Sequence, residues 1–463
     1  MINISTDIKQ LITTDQAHYY RIVPKEKTKD LFVFYGEAEA ISNQKIRELE
    51  IVLGTKVELS PIEKADLDLA LSKYYLKKKA SQKHELTLSS DSFLKDLIKE
   101  AENLKCSDIH LESYEDKCRI RMRLDGQLVE RFVIPKTDYP EFVNRIKIMS
   151  NLDIAEKRLP QDGRIMIKEA HKQFDLRVSV LPTLFGEKVV LRLLSDENAS
   201  LSIDYLGLGE AQQSAYLQAV KKPHGIILIS GPTGSGKTTT LYATLKELND
   251  NKRNILTIED PVEYTLEGIN QVQLKEKIGL DYVAALRTFL RQDPDIIMVG
   301  EIRDLPTAKM AMRAALTGHL VLSTVHTNSA WGIVSRLIEM GISPFILADT
   351  LNIAVAQRLL RLLCEHCKEE VPASKYAQAL PEEILGPIYE PRGCEACYHT
   401  GYAGRKAIYE MIPMNESMAR FVKNGTELSD EIVDQHLGTL QSSAIEVFLS
   451  GKTSFEEISP YLV

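Results

Sequence analysis

The chain has 463 residues, enough for two to four domains with substantial cores. Its formal net charge of −8 argues against a general electrostatic clamp on nucleic acid. No apolar run is long enough to span a bilayer, and the opening Met1-Ile-Asn-Ile-Ser-Thr-Asp7 lacks the basic region and apolar core of a secretory signal, so a cytoplasmic location is expected, with any membrane association made through partners.

Residues 1–85 read as a short amino-terminal region suited to partner binding. Leu31-Phe-Val-Phe-Tyr35 is an apolar patch, Lys64 to Lys79 has helical character, and the Lys77-Lys78-Lys79 run is read as a solvated helix end in preference to a docking patch. Ser81 to Glu85 is a linker candidate.

Residues 86–205 read as an α+β domain. Phe93, Leu94, Leu97, Ile98, Ala101 and Leu104 recur at helical spacing and predict one buried face. Arg119 to Arg123 alternates apolar and basic residues as a strand does, and Asp125-Gly126 is a turn candidate before a second strand, Leu128 to Val133. Asp108, His110 and Glu112 would share a face of an extended segment. With no further ligand nearby, structural hydrogen bonding is the better reading than a metal. Arg177 and Arg192 fit either an anionic phosphate or surface ion pairs, and the residues alone leave both open. Residues 206–221 are read as a linker that includes a short helix.

Residues 222–463 carry the chemistry. Ile226 to Ser230 reads as a buried strand, Gly231-Pro232-Thr233-Gly234-Ser235-Gly236-Lys237 as a tight loop, and Thr240 to Asn249 as a helix. With Thr238 and Thr239 following, this is the phosphate-binding pattern G-x-x-x-x-G-K-[ST] in its strand–loop–helix setting. Loop amides and the helix start attract phosphate oxygens, Lys237 reaches the terminal phosphates, and Thr238 is placed to ligate magnesium.

Ile255 to Ile258 predicts a strand with Glu259, Asp260 and Glu263 at or beyond its end, where acids can orient a water or hold a magnesium-bound one. The three cannot be ranked from sequence. Ile296-Ile-Met-Val299 predicts another strand ending in Gly300-Glu301, with Glu301 on the magnesium side. Arg287 and Arg291 precede it as candidate phosphate ligands or subunit bridges. A third strand, Leu320 onward, ends at His326, a candidate sensor of the γ phosphate. Asn251-Lys252-Arg253-Asn254 lacks the closing aspartate of a guanine-reading motif, which favours ATP over GTP.

Cys364-Glu-His-Cys367 and Cys394-Glu-Ala-Cys397 are two C-x-x-C pairs separated by 26 residues, which suits one tetrahedral zinc. Four thiolates leave no open position, so the ion would staple structure in a subdomain at about residues 361–410; a redox pair is the weaker alternative.

These motifs together resemble the bacterial type II secretion and type IV pilus assembly ATPases. The match is carried by Ile227 to Leu241, Ile258 to Tyr264, Arg291 to Asp304 and Thr317 to Thr327, which are similar to the family's phosphate loop, aspartate box, acidic strand motif and histidine box. The resemblance implies a RecA-like P-loop ATPase domain preceded by an α+β domain, a homo-hexamer, and ATP with Mg2+ at domain and subunit boundaries. It further implies that Arg177, Arg192, Arg287 and Arg291 approach phosphate, partly across subunits. The tetracysteine segment resembles the zinc subdomain of extension and secretion motors, which retraction motors lack. The implied partners are an inner-membrane assembly platform protein and a recruitment protein facing the cytoplasm, with no direct nucleic acid. Pilin polymerisation is the expected output, type II secretion the alternative; a nucleic-acid motor or a nucleotide-dependent scaffold are further alternatives. Ser113 departs from the family's usual proline, and the amino-terminal region departs more widely.

Overall fold

The computed structural model describes residues 4, 8, 11–12, 14–28, 31–37, 41–75, 93–169, 172–194, 202–376, 379–380, 386–424 and 438–462. The basic run Lys77–Lys79 and the candidate linker Ser81–Glu85 lie outside them. The chain divides into two compact units, one drawn from Met1–Glu85, Arg361–Gly404 and Leu449–Phe455, the other from Leu86–Leu360, Arg405–Phe448 and Glu456–Val463.

In the first unit, strands Ile22–Lys27, Leu31–Glu37 and Lys56–Ile62 form a sheet whose first pair is antiparallel and second parallel. The parallel pair is joined through helix Asn43–Leu53, capped by Ser42 at its start and by left-handed Gly54 at its end. Helix Lys64–Tyr74 follows the last strand. Within the same unit, a two-stranded ladder, Lys368–Val371 with Ile388–Pro391, stands beside the cysteine pairs in sequence.

The second unit holds two sheets. A six-stranded antiparallel sheet runs in the order Gln127–Ile134, Cys118–Leu124, Asp108–Ser113, Gly186–Leu194, Lys172–Thr183, Gln161–Glu169. Strict alternation in Cys118–Leu124 buries Cys118, Ile120, Met122 and Leu124 while Arg119, Arg121 and Arg123 face outward. The buried set packs with Phe93, Leu94, Leu97, Ile98 and Ala101 of helix Phe93–Asn103. Asp125 and Gly126 both take positive φ, 46° and 89°, as a two-residue hairpin turn requires.

The seven-stranded sheet runs Asn270–Gln273, Ile255–Glu259, Ile296–Val299, Leu320–Val325, Gly225–Ser230, Leu351–Leu363, Tyr402–Pro413. The first five pairings along this order are parallel. Four of its strands, Gly225–Ser230, Ile255–Glu259, Ile296–Val299 and Leu320–Val325, are buried at every position, the signature of a parallel sheet covered on both faces. Parallel order brings the carboxyl ends of these strands to one edge, where Gly231, Asp260, Gly300 and His326 follow.

Candidate active site and metal centre

The helix after the glycine-rich loop spans Lys237–Leu248, so it starts three residues before the expected Thr240. The reason is Gly236, whose φ of 87° ends the loop and aims the first helical amides back into it. Gly231 is required on space as well as angle: at φ 151° a β-carbon would lie 2.5 Å from the Gln357 carbonyl oxygen. Lys237 Nζ donates to the carbonyls of Gly231 (2.7 Å) and Pro232 (3.0 Å), folding the side chain over its own loop. Burial lowers the Lys237 pKa, while the nearby Glu301 opposes that shift. Thr238 is exposed and Thr239 half-buried.

The acids separate into distinct environments. Glu259 is 4% exposed, and its carboxylate accepts hydrogen bonds from Tyr242 Oη, Thr257 Oγ1 (2.6 Å) and Gln271 Nε2 (3.1 Å). Asp260 is exposed. Glu263 pairs with Arg177 at 3.2 Å, and Arg177 also donates to the Val262 carbonyl. Arg192, the cross-strand neighbour of Arg177, bonds Asp108 Oδ1 at 2.9 Å. Glu301, with a side chain 13% exposed, is held by Arg303 through Oε1. His326 Nε2 lies 3.3 Å from Glu301 Oε2, but that oxygen is buried and without a hydrogen-bond partner among the described residues, so the contact is a close approach rather than a directed bond.

Local capping explains why these side chains sit where they do. Asp304 accepts from the Thr307 amide (2.8 Å) to start helix Leu305–Leu316 just after Glu301 and Arg303, and Ser329 accepts from Gly332 (3.0 Å) to start helix Ala330–Glu339 just after His326. Arg287 and Arg291 stand exposed near the end of helix Tyr282–Phe289 and beyond it, and neither pairs with a carboxylate among the described residues. The structure therefore gathers Lys237, Glu301, Arg303 and His326, joins Arg177 to Glu263 and Arg192 to Asp108, and gives Arg287 and Arg291 no acidic partner among the described residues. Tyr242 and Gln271, which occupy Glu259, carry no motif that sequence reading would single out.

The loop suits a phosphate chain. Ser235 Oγ is buried with no hydrogen-bond partner among the described residues, and the adjoining glycines keep the backbone open to a ligand. Asp108 and Glu112 take the structural role preferred above over a metal, each engaged in ion pairs: Asp108 with Arg192 and Arg123, Glu112 with Arg119, Arg121 and Lys188.

Cys364, Cys367, Cys394 and Cys397 place their Sγ atoms within 4.8 Å of one another, with Cys364–Cys394, Cys367–Cys397 and Cys394–Cys397 at 3.9, 3.7 and 3.8 Å. All four are free thiols. The amides of Cys394 and Gly401 both donate toward the Cys397 sulfur, at 3.2 Å. This is a donor set for one four-coordinate soft metal ion. Cys106 and Cys118 are buried in the core that packs helix Phe93–Asn103 on the six-stranded sheet.

A glycine-rich loop at the carboxyl edge of a parallel sheet, opposite acids from neighbouring strands, defines a P-loop nucleotide-binding protein of mixed α/β architecture. Residues 85–460 match the family described as Type II/IV secretion system protein, and the chain belongs to that family. It is 40% identical over 492 aligned positions to the type IV pilus assembly ATPase PilB of Myxococcus xanthus (strain DK1622), covering 98% of this chain and 87% of that protein. It is 45% identical over 367 positions to the type II secretion system protein E of Aeromonas hydrophila, covering 78% and 73%. Among solved structures, the pilus retraction motor PilT with bound ADP is similar at a TM-score of 0.55 and 26% identity, covering 79% of this chain and 95% of that one. The ATPase DotB of Legionella pneumophila shares the fold at a TM-score of 0.61 and 21% identity.

Proposed function

We propose that this protein is the ATPase motor of a type IV pilus assembly machine, a ring of six copies of a RecA-like domain that hydrolyses ATP to ADP and phosphate and drives pilin polymerisation at an inner-membrane platform. The observation that carries the catalytic part is the meeting of Lys237, Glu301 and His326 beside the phosphate loop. As a member of its family, the chain is an ATP-hydrolysing enzyme. Among the described residues no helix is long and apolar enough to cross a membrane, which fits a motor working from the cytoplasm through membrane partners, the platform and a recruitment protein.

Loop amides and Lys237 bind the β and γ phosphates, and Ser235 gains the partner it lacks. Thr238 and Glu301 would hold magnesium, which neutralises charge on the transferring phosphate when bound. Glu259 is saturated by three donors and acts as a structural anchor for the strand end. Orientation of the attacking water falls to Glu301, with Asp260 beside the same crevice, while Glu263 ties Arg177 to the motor. His326 registers the presence of the γ phosphate through its contact with Glu301. Arg287 and Arg291, exposed and without acidic partners among the described residues, are left for phosphate or a neighbouring subunit. Cys364, Cys367, Cys394 and Cys397 hold zinc as a structural staple.

Pilus assembly is preferred because similarity to the Myxococcus xanthus PilB spans 98% of the chain, including most of the amino-terminal region, whereas similarity to the Aeromonas hydrophila protein E spans 78%. The higher identity of the latter keeps secretion as the second reading. The test is turnover by the purified ring with the pilus platform protein or the secretion platform protein added. Stimulation by the pilus platform alone is expected; stimulation by the secretion platform alone would reassign the motor to protein export.

A further inference from the structure

Tyr282 belongs to none of the motifs described above, yet its hydroxyl lies in the crevice they surround. The residue is 7% exposed, and its oxygen is buried without a hydrogen-bond partner among the described residues. A β-carbon at Gly300 would lie 3.3 Å from that oxygen, 3.3 Å from the Ile258 carbonyl and 3.4 Å from the Glu259 α-carbon. The phenol therefore projects between the ends of strands Ile255–Glu259 and Ile296–Val299, where Asp260 and Glu301 emerge. Burial pushes the tyrosine pKa upward, and the Glu301 and Asp260 carboxylates add to the shift, so the group stays a protonated donor. Its placement is fixed, because Asp281 caps the helix one residue earlier by accepting from Ala284 at 2.7 Å.

A buried phenol with an unused donor is costly, and Tyr and Phe differ by that oxygen alone. Glu301 Oε2, with His326 Nε2 3.3 Å away, is also buried and has no hydrogen-bond partner among the described residues. Two buried oxygens that lack hydrogen bonds at the ends of neighbouring strands suit a small ligand able both to accept and to donate, and a water molecule does both.

We infer that Tyr282 is a positioning residue for hydrolysis, its hydroxyl donating to the water held between the Asp260 and Glu301 carboxylates. With the phenol as donor, the water keeps its own protons for the carboxylates and turns a lone pair toward phosphorus. The inference rests on the ATPase reading of the same site.

The test is Tyr282→Phe in the full-length ring. A structural hydroxyl would stabilise the resting protein, whereas an orphan would not, so the variant's melting temperature is expected to be unchanged or higher. Its kcat is expected to fall about tenfold with KM for ATP nearly unchanged, the pattern of an interaction made in the transition state. Affinity for ADP–aluminium fluoride, a mimic of that state, is expected to fall by about the same factor while ADP affinity stays put. Wild-type kcat and wild-type affinity for the mimic would overturn the inference, as would a lowered melting temperature with parallel loss of all nucleotide binding. If the wild-type ring does not turn over ATP, the ATPase reading fails on its own, and the comparison of mimic and ADP affinities still decides the role of Tyr282.

Discussion

Glu112 illustrates how a single carboxylate is kept charged in the interior of the α+β domain. Its side chain is 5% exposed, and burial alone would raise its pKa. Hydrogen bonds from Arg121 (2.6 Å) and Arg119 (2.9 Å) outweigh that effect and hold the carboxyl at about 2. Because the folded value lies below the ordinary one, the stabilisation is complete above about pH 4.5 and is lost as the pH falls toward 2. Glu112→Gln is expected to cost on the order of 3 kcal/mol at pH 7, with the gap from the parent closing between pH 4 and 2. Urea unfolding at a series of pH values measures this, and a gap that stays constant with pH would show that shape, not charge, is what Glu112 contributes. At this scale the sequence is only partly legible. The phosphate loop can be read because its ligands are contiguous, from Gly231 to Thr238. The rank of Glu259, Asp260 and Glu263 cannot, because it depends on Tyr242 and Gln271, which come from other elements and match no pattern.

At the scale of elements, periodicity gives the helix Phe93–Asn103, the strand Cys118–Leu124 and its hairpin turn, and the three strands that end at functional residues. It misplaces the start of helix Lys237–Leu248, since the left-handed turn at Gly236 is a backbone property that apolar spacing does not report. It also leaves the small amino-terminal sheet unread, because a parallel pairing between Leu31–Glu37 and Lys56–Ile62 joins segments separated by a helix. The cysteine pairs are the opposite case: their spacing alone predicts convergence, and the four sulfurs do converge. Zinc at this site is expected at about one ion per chain. Cys394→Ser is expected to lose the ion and lower the melting temperature, with zinc content read by atomic emission and unfolding by calorimetry. Full zinc content in the variant, or equal stability with and without a chelator, would remove the staple role.

At the scale of the whole molecule, the proposed motor works only if the groups gathered in one chain complete a site in a ring. Arg287 and Arg291 present exposed positive charge without acidic partners among the described residues, and Arg177 already couples the six-stranded sheet to the segment after strand Ile255–Glu259. A nucleotide can drive movement only by binding the alternative arrangements with different affinity, and the γ phosphate, which Glu301 and His326 are proposed to read, is where ATP and ADP differ. The most direct measurement is magnesium-dependent ATP turnover across separated oligomer sizes, with Glu301→Gln in parallel. Turnover confined to the ring and reduced at least a hundredfold in the variant, with ATP binding retained, is the predicted result. Undiminished turnover by Glu301→Gln, or equal turnover by isolated chains, would contradict it.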